Sequence, residues 1–277
     1  MSVETTHIDP GDPAMSPLAH FGAEARLERE RLKMSREALG REATCSYSLV
    51  AKIEAGQRVP PRDFALACDR VFPYANGRFL RLWPLVLRYA FPPWFRRYVE
   101  LEMVATGIRM FHPVLVPGLV QTERYARAVL RTGRPTNLDD LVTARMERQH
   151  ILTRDSPPRL WLILDEGVLR RTVGGREVMA EQLIRLRDLA DTPPHVVQII
   201  RSNSAPCHGG SSPFGLLSFS DGAADVVHVD GFPRGYLLAE PSDIAVATSA
   251  YDLLRATALP PDESAALIDS VLKECYS

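Results

Sequence analysis

The sequence predicts a mainly α N-terminal domain followed by an α+β domain with one modest sheet, and three observations carry that expectation. Residues 18–72 break into four or five short helical segments punctuated by capping residues and prolines. Beyond residue 100, strand-like runs such as "RLWLILD" and "HVVQII" alternate with helical segments. Charge divides at about the same place. Residues 18–99 hold 15 basic and 8 acidic residues, a net of +7, whereas residues 100–277 hold 18 basic and 23 acidic, a net of −5. A basic front joined to an acidic back suggests a polyanion-binding module fused to a second function.

The bulk numbers fit two domains in 277 residues, and a hydrophobic content of 45% is ordinary for a globular protein with a real core. No apolar run approaches the roughly 20 residues that a membrane span needs. The opening "MSVETTHIDPGDPAMSP" is acidic, carries prolines and lacks an apolar h-region, so residues 1–17 are expected to be a disordered leader and not a signal or transit peptide. Cys45, Cys68, Cys207 and Cys275 are scattered without C-x-x-C spacing. That argues against a disulfide framework and against a structural zinc, and places the chain in a reducing cytoplasm, associated with the nucleoid.

Within the front half, a charge-dense first helix runs from Leu18 to Met34. Ser35 caps a second, with Glu37 in its first turn where it favours the helix dipole. Thr44 and Cys45 form a turn. A third helix spans 46–55, capped by Ser46, stopped by Gly56 and followed by Pro60 and Pro61; Pro61 then opens a fourth. On the third helix Val50 and Ile53 face inward with Leu49 at their flank, which leaves Ser48, Ala51, Lys52 and Ala55 outward. Small side chains there permit close approach, Lys52 supplies a donor, and no bulky acid intrudes. Such a face suits the DNA major groove, where side chains must reach base edges beside a wall of phosphates. Tyr47, Ser48, Ala51 and Lys52 are therefore the base-reading candidates. Arg36, Ser46, Gln57, Arg58 and Arg62 are the backbone-contacting candidates, which position without reading sequence. Glu54, acidic beside DNA, is expected to hold the fold by pairing with an arginine.

The run "MSREALGREATCSYSLVAKIEAGQRVPP" resembles the helix-turn-helix of the phage-repressor (Cro/C1, or XRE) class. The matches are Ser35 and Leu39, Ser46 and Ser48, then Lys52-Ile53-Glu54 with Gly56 and a proline soon after. Lys33 departs from the family's usual glycine, and Arg36 stands where phosphate-binding members often carry glutamine. The resemblance implies double-stranded DNA as partner, read by a homodimer on a palindromic operator. The alternative, the same scaffold used for protein contacts, is disfavoured by the basic charge of the front half. Residues 18–78 are expected to form this domain and residues 79–93 a connector helix or linker. Its Phe79, Leu82, Trp83, Val86 and Leu87 make an apolar face interrupted by Pro84, to be covered by intramolecular packing or by a second copy.

Residues 94–277 are expected to be the α+β regulatory domain, binding an effector or a partner. Strands are predicted at 159–165 and 195–200, in "FGLLSFS" and "DVVHVD", and in "GYLLAE"; helices at 94–105, 122–131, 138–153, 176–190, 241–256 and 262–274. Catalytic constellations are weak. Asp165 and Glu166 are adjacent carboxylates, but Asp165 reads as a helix cap. His228 and Asp230 share a strand face, yet no G-x-S-x-G elbow exists, so a solvent-facing or hydrogen-bonded pair is favoured. Cys207-His208 beside Gly209-Gly210 reads as a flexible loop, and "VGG" at residues 173–175 as a turn. No enzyme activity, cofactor or metal is expected. Trp94, Phe95, Phe111, Trp161, Phe214 and Tyr236 fall near predicted element ends, where most serve as core.

The blocks "RMFHPVLVPGLVQTERYARAVLRTGRP", "PPRLWLILDEGVLRRTVGG", "VMAEQLIRL" and "ESAALI" together resemble the actinobacterial domain of unknown function 5753. In that family the domain follows a Cro/C1-type helix-turn-helix, the order seen here. The resemblance implies a transcriptional regulator whose back half senses a small molecule or a partner protein. Alternatively it implies an antitoxin-type protein that binds a small partner protein encoded nearby and autoregulates its operon.

Overall fold

The computed structural model describes residues 16–88, 90–204, 212–220 and 222–276. Of the expected leader, residues 1–15 lie outside the described residues, as does the Cys207-His208 loop. Two compact units emerge. The first holds the described residues up to Pro93 together with Asp139–Glu147; the second holds Trp94–Leu138 and the described residues from Arg148 onward.

The first unit is helical because its segments are short and individually capped. Helix α1 (Pro17–Arg31) begins with Pro17 behind Ser16, whose hydroxyl accepts from the Ala19 amide at 3.4 Å, so Ser16 and Pro17 belong to the helix and not to a leader. It closes at Lys33, held at φ +51°, with the Met34 amide donating to the Arg29 carbonyl at 3.0 Å. A glycine would adopt this left-handed conformation freely, whereas a lysine is strained there by about 1 kcal/mol. Helix α2 (Arg36–Glu42) is capped by Ser35 and α3 (Tyr47–Glu54) by Ser46, each hydroxyl accepting an amide at 3.2 Å. Between them Thr44 turns the chain at φ +52°.

Helix α4 (Arg62–Val71) and helix α5 (Arg78–Arg88) complete the unit. Asp69 near the end of α4 caps α5, its carboxylate accepting from the Phe79 and Leu80 amides at 3.0 and 2.8 Å. Phe79 enters an aromatic core with Phe21 and Phe72, ring centroids 5.3 and 5.6 Å away. Trp83 donates its indole N–H to the Pro60 carbonyl at 2.8 Å. Of the two coverings expected for the apolar face at residues 79–93, intramolecular packing is the one seen: Phe79, Trp83 and Val86 are buried within the helical unit.

Glu54 ties the unit together. Its carboxylate is fully buried and accepts from Arg29 of α1 through two nitrogens and from the Arg36 Nε of α2 at 2.8 Å. Arg29 also donates to the Met34 carbonyl at 2.9 Å, so one ionic cluster joins three helices and the first turn.

The second unit is built on one mixed sheet of strands β1 (Gly107–His112), β2 (Arg159–Asp165), β3 (Val196–Ile200), β4 (Phe214–Ser218), β5 (Val226–Val229) and β6 (Tyr236–Leu238), in the spatial order β3-β2-β1-β4-β5-β6. The three strands β1, β2 and β3 are parallel; β4, β5 and β6 continue antiparallel. Helical crossovers separate the parallel strands, as their geometry requires. They are α7 (Glu123–Arg131) after β1, then α9 (Glu166–Arg170) and α10 (Arg176–Ala190) after β2; the chain between β1 and β2 also includes α8 (Leu138–Arg148), of which Asp139–Glu147 belong to the first unit.

Period-two alternation feeds two cores. Leu160, Leu162 and Leu164 pack with Ile108, Met110, Met179, Leu183 and Ile268 on one face. Ile163, Phe111, Leu216 and Val227 pack against Tyr251 and Leu254 on the other. Helix α6 (Pro93–Val104) and helix α12 (Pro261–Val271) serve the first face, and α11 (Pro241–Thr257) the second. Phe111 and Phe214 are core, whereas Trp94 and Tyr236 are 38% and 58% exposed.

A polar cluster is sealed inside this unit. Glu102 of α6 meets Arg148 at 2.8 Å, both buried, and the Arg148 guanidinium lies over the Phe95 and Tyr98 rings. Tyr98 stacks on His228 with centroids 4.2 Å apart. His228 is only 6% exposed and its Nδ1 is 3.6 Å from Asp230, beyond a normal hydrogen bond. The expected solvent-facing or hydrogen-bonded pair is therefore corrected to a buried imidazole packed on aromatic rings. Burial, reinforced by Arg148, lowers His228 to about 4; burial, then His228 and Arg148, lowers His112 to about 3. Both rings stay neutral in the fold.

Two predictions follow from these clusters. Replacing Glu54 by Ala leaves the buried Arg29 with only the half-exposed Glu30 at 3.4 Å as counter-charge, and is expected to cost about 3–5 kcal/mol of stability in urea denaturation of the full chain. The double change Glu54→Leu with Arg29→Met is expected to recover most of that loss, because no uncompensated charge remains at the pair.

The imidazoles predict a pH dependence with a definite sign. Unfolded histidines take up protons near pH 6.5, whereas folded His112 and His228 do so only near 3 and 4. The unfolded state thus binds more protons, and stability falls as pH drops from about 6.5 toward 4, by about 1.4 kcal/mol per pH unit for each imidazole. Glu102, whose carboxyl is raised by burial, works in the opposite direction. His228→Gln is expected to flatten the slope of denaturation midpoint against pH by roughly one proton's worth; an unchanged slope would contradict the assignment.

Candidate nucleic-acid interface

Helix α3 presents its faces as its sequence pattern dictates. Val50 and Ile53 are fully buried against the unit, while Ser48, Lys52 and Ala55 are exposed and Ala51 partly so. Tyr47 is 49% exposed, its ring 5.9 Å from the Arg36 guanidinium. The four base-reading candidates thus share the outer face of one helix. The one carboxylate of α3, Glu54, points inward.

Close packing sets the height of this helix on its scaffold. Gly56 sits at φ +66°, and a Cβ there would come within 2.8 Å of the Ala19 Cα. Gly22 of α1 lies against the Ile53 carbonyl, with no room for a side chain. Two glycines on opposite sides of the α1–α3 contact let the backbones meet directly.

The backbone-contacting candidates are more heavily engaged than the sequence suggests. Ser46 uses its hydroxyl as the α3 cap. Arg36 directs Nε at Glu54 and retains a 30% exposed side chain. Gln57 is exposed, its amide closing the helix on the Lys52 carbonyl at 2.9 Å. Arg62 is exposed at the first position of α4.

Arg58 differs most. Its guanidinium pairs with Asp139 and Asp140 of α8, both at 2.9 Å. Asp140 also accepts from the Val59 amide at 3.2 Å and is only 5% exposed. Burial raises the Asp140 carboxyl, while Arg58, the Val59 amide and Lys52 all pull it back down. Two carboxylates therefore occupy, at Arg58, the place a phosphate would take.

Sequence reasoning missed these aspartates. "NLDDLV" shows two acids at a helix start, which the helix dipole already explains, so nothing local announces a partner 81 residues away.

Elsewhere the weighed chemistry resolves into structure. Asp165 caps α9, accepting from the Gly167 amide at 2.7 Å. Glu166 bonds Arg170 and the Ser202 amide. Gly174 and Gly175, both at positive φ, turn the chain into α10. Cys45, Cys68 and Cys275 are free, and burial pushes the Cys68 thiol well up, away from reactivity. Among the described residues no group of three or more His, Cys, Asp or Glu could hold a metal ion, and no helix is long and apolar enough to cross a membrane.

Comparison with known families agrees with this division of labour. Residues 20–72 match a helix-turn-helix domain, the segment that carries the candidate face, and supply the chain with a DNA-binding module. Residues 95–270, more than half of the chain, match a domain of unknown function. Neither a curated relative nor a solved structure matches the chain. With its helix-turn-helix in front, the chain belongs to the family described as domain of unknown function (DUF5753).

Proposed function

We infer that the protein is a sequence-specific transcriptional regulator without catalytic activity. In this reading it binds a palindromic operator as a homodimer, and its back domain senses a small molecule. The observation that supports this best is the outer face of α3, where Ser48, Ala51 and Lys52 share a side that carries no carboxylate of its own helix, on a helix fixed by the buried Glu54 cluster. One such helix contacts too few bases for a useful specificity ratio, which argues for two helices on half-sites about one helical turn apart.

A second reading, with a small partner protein encoded nearby as the sensed species and the chain as its antitoxin, draws on α11. Its Val246 and Leu253, two turns apart, are 60% and 51% exposed. Under that reading Val246→Asp with Leu253→Asp abolishes co-purification of the neighbour-encoded protein, while operator binding persists. Retention of the partner by the double variant would remove this reading's support.

Footprinting and binding titrations test the regulator itself. A two-fold symmetric protected site is expected. Lys52→Ala is expected to cost about 1–3 kcal/mol on the operator and to relax preference at one position. Arg58→Ala is expected to weaken all sequences alike and to lower the salt slope by about one. Because Arg58 must exchange Asp139 and Asp140 for a phosphate, Asp139→Asn should act oppositely and tighten binding to every sequence. Identical behaviour of Lys52→Ala and Arg58→Ala on operator and random DNA would contradict these roles.

A further inference from the structure

The second unit holds a cleft of about 460 Å³ beside α10 that no site above uses. Its apolar walls are Val120, Leu152, Ile184 and Leu189. Arg185 supplies the cationic group. It is anchored by neutral acceptors alone: its Nε donates to the Val120 carbonyl at 3.2 Å and its Nη2 to the Gln149 Oε1 at 2.6 Å. Gln149 is itself buried, and its amide nitrogen is fixed by the Gly118 and Gln121 carbonyls. A rigid platform therefore aims a guanidinium whose Nη1 has no acceptor among the described residues. No carboxylate offsets the partial desolvation of this group.

His195 closes the same cleft. It is only 7% exposed, and its ring bonds the Leu152 backbone and is held neutral by burial, so it adds no charge beside Arg185. Two carboxylates also line the cleft, and each already has an arginine of its own. Glu181 lies 3.5 Å from Arg124, and Asp188 lies 2.9 Å from Arg187. They leave Arg185 as the unmatched charge and still disfavour a doubly charged guest.

We propose that this cleft binds a small organic monocarboxylate, its carboxylate on the Arg185 guanidinium and its compact apolar body against Leu152, Ile184 and Leu189. Guanidinium matches carboxylate in planar geometry, and the volume suits a molecule of ring size. This assignment rests on the reading of the back domain as a sensor and names the class of what it senses.

Calorimetry on the full chain with benzoate, benzamide and phenyl phosphate tests it. Benzoate is expected to bind at least about tenfold more tightly than benzamide, and Arg185→Gln to weaken benzoate by about tenfold or more, with Arg185→Lys between. Asp188→Asn should tighten benzoate by about threefold, a gain that a merely structural role would not produce. No benzoate binding up to about 10 mM by folded protein, or binding indifferent to Arg185→Gln, would overturn the site. Tighter binding of phenyl phosphate than of benzoate would overturn the monocarboxylate class. Should Arg185→Gln not fold, Asp188→Asn decides: an unchanged benzoate affinity sinks the proposal. Operator binding measured on the same samples without benzoate separates failure of the cleft from failure of the DNA-regulator reading.

Discussion

Everything in the first unit is arranged around a buried carboxylate. Glu54 occupies the last position of α3, where acidic residues oppose the helix dipole, yet its side chain is fully enclosed. It is tolerable there because Arg29 grips it with two nitrogens and Arg36 with a third. A guanidinium fork accepts few geometries, so the pair fixes orientation as well as distance. Apolar residues of similar volume could fill the space with equal or greater stability, but they would not prescribe the rotation of α3 about its axis. For a helix whose outer face must present particular side chains, that rotation is what matters.

The same clamp alters the meaning of the basic charge. A net of +7 over residues 18–99 suggests an abundant positive surface. Much of it is committed internally: Arg29 to Glu54, Arg78 to Glu24 and Glu28, Arg70 to Glu42, and Arg58 to Asp139 and Asp140. Lys52 and Arg62 make no ion pair among the described residues and stand exposed. Electrostatic attraction to a polyanion therefore depends on a few placed charges plus those that can change partner. Arg58, paired with Asp139 and Asp140, would belong to the second kind under the proposed function.

What was legible in the sequence is what local chemistry determines. Ser35 and Ser46 are caps because a hydroxyl two or three residues ahead of unpaired amides has little else to do, and both are found capping. The 159–165 strand was legible from its alternation, with Leu160, Leu162 and Leu164 facing one core and Ile163 the other. Its central neighbour β1 was not. "GIRMFH" opens on glycine, places Arg109 in an ion pair with Asp225, and ends in a buried histidine, so polar residues interrupt the apolar signal. Glu54 was expected to find an arginine, but which one depends on α1 packing through Gly22, a tertiary fact. The apolar stripe at residues 79–93 has the same limit: it states that something covers it, never what.

The distribution of residues between the two units carries the last consequence. The family match over residues 95–270 encloses Asp139–Glu147, yet those residues belong to the unit that carries α3. Asp140 does more there than balance Arg58, because it satisfies the amide of Val59, a residue 3% exposed. Cutting the chain after the helix-turn-helix would leave that amide and Arg58 without partners and, if α5 went as well, would expose the core covered by Phe79 and Trp83. A fragment made in that way would differ from the intact protein in its helical unit, not merely in lacking the second unit. Any change in its affinity for DNA would mix three causes: a freed Arg58, a loosened turn after α3, and the absence of the second unit. Point changes in the full chain keep them apart, since Asp139→Asn alters the charge facing Arg58 while leaving the Asp140 bond to Val59 in place.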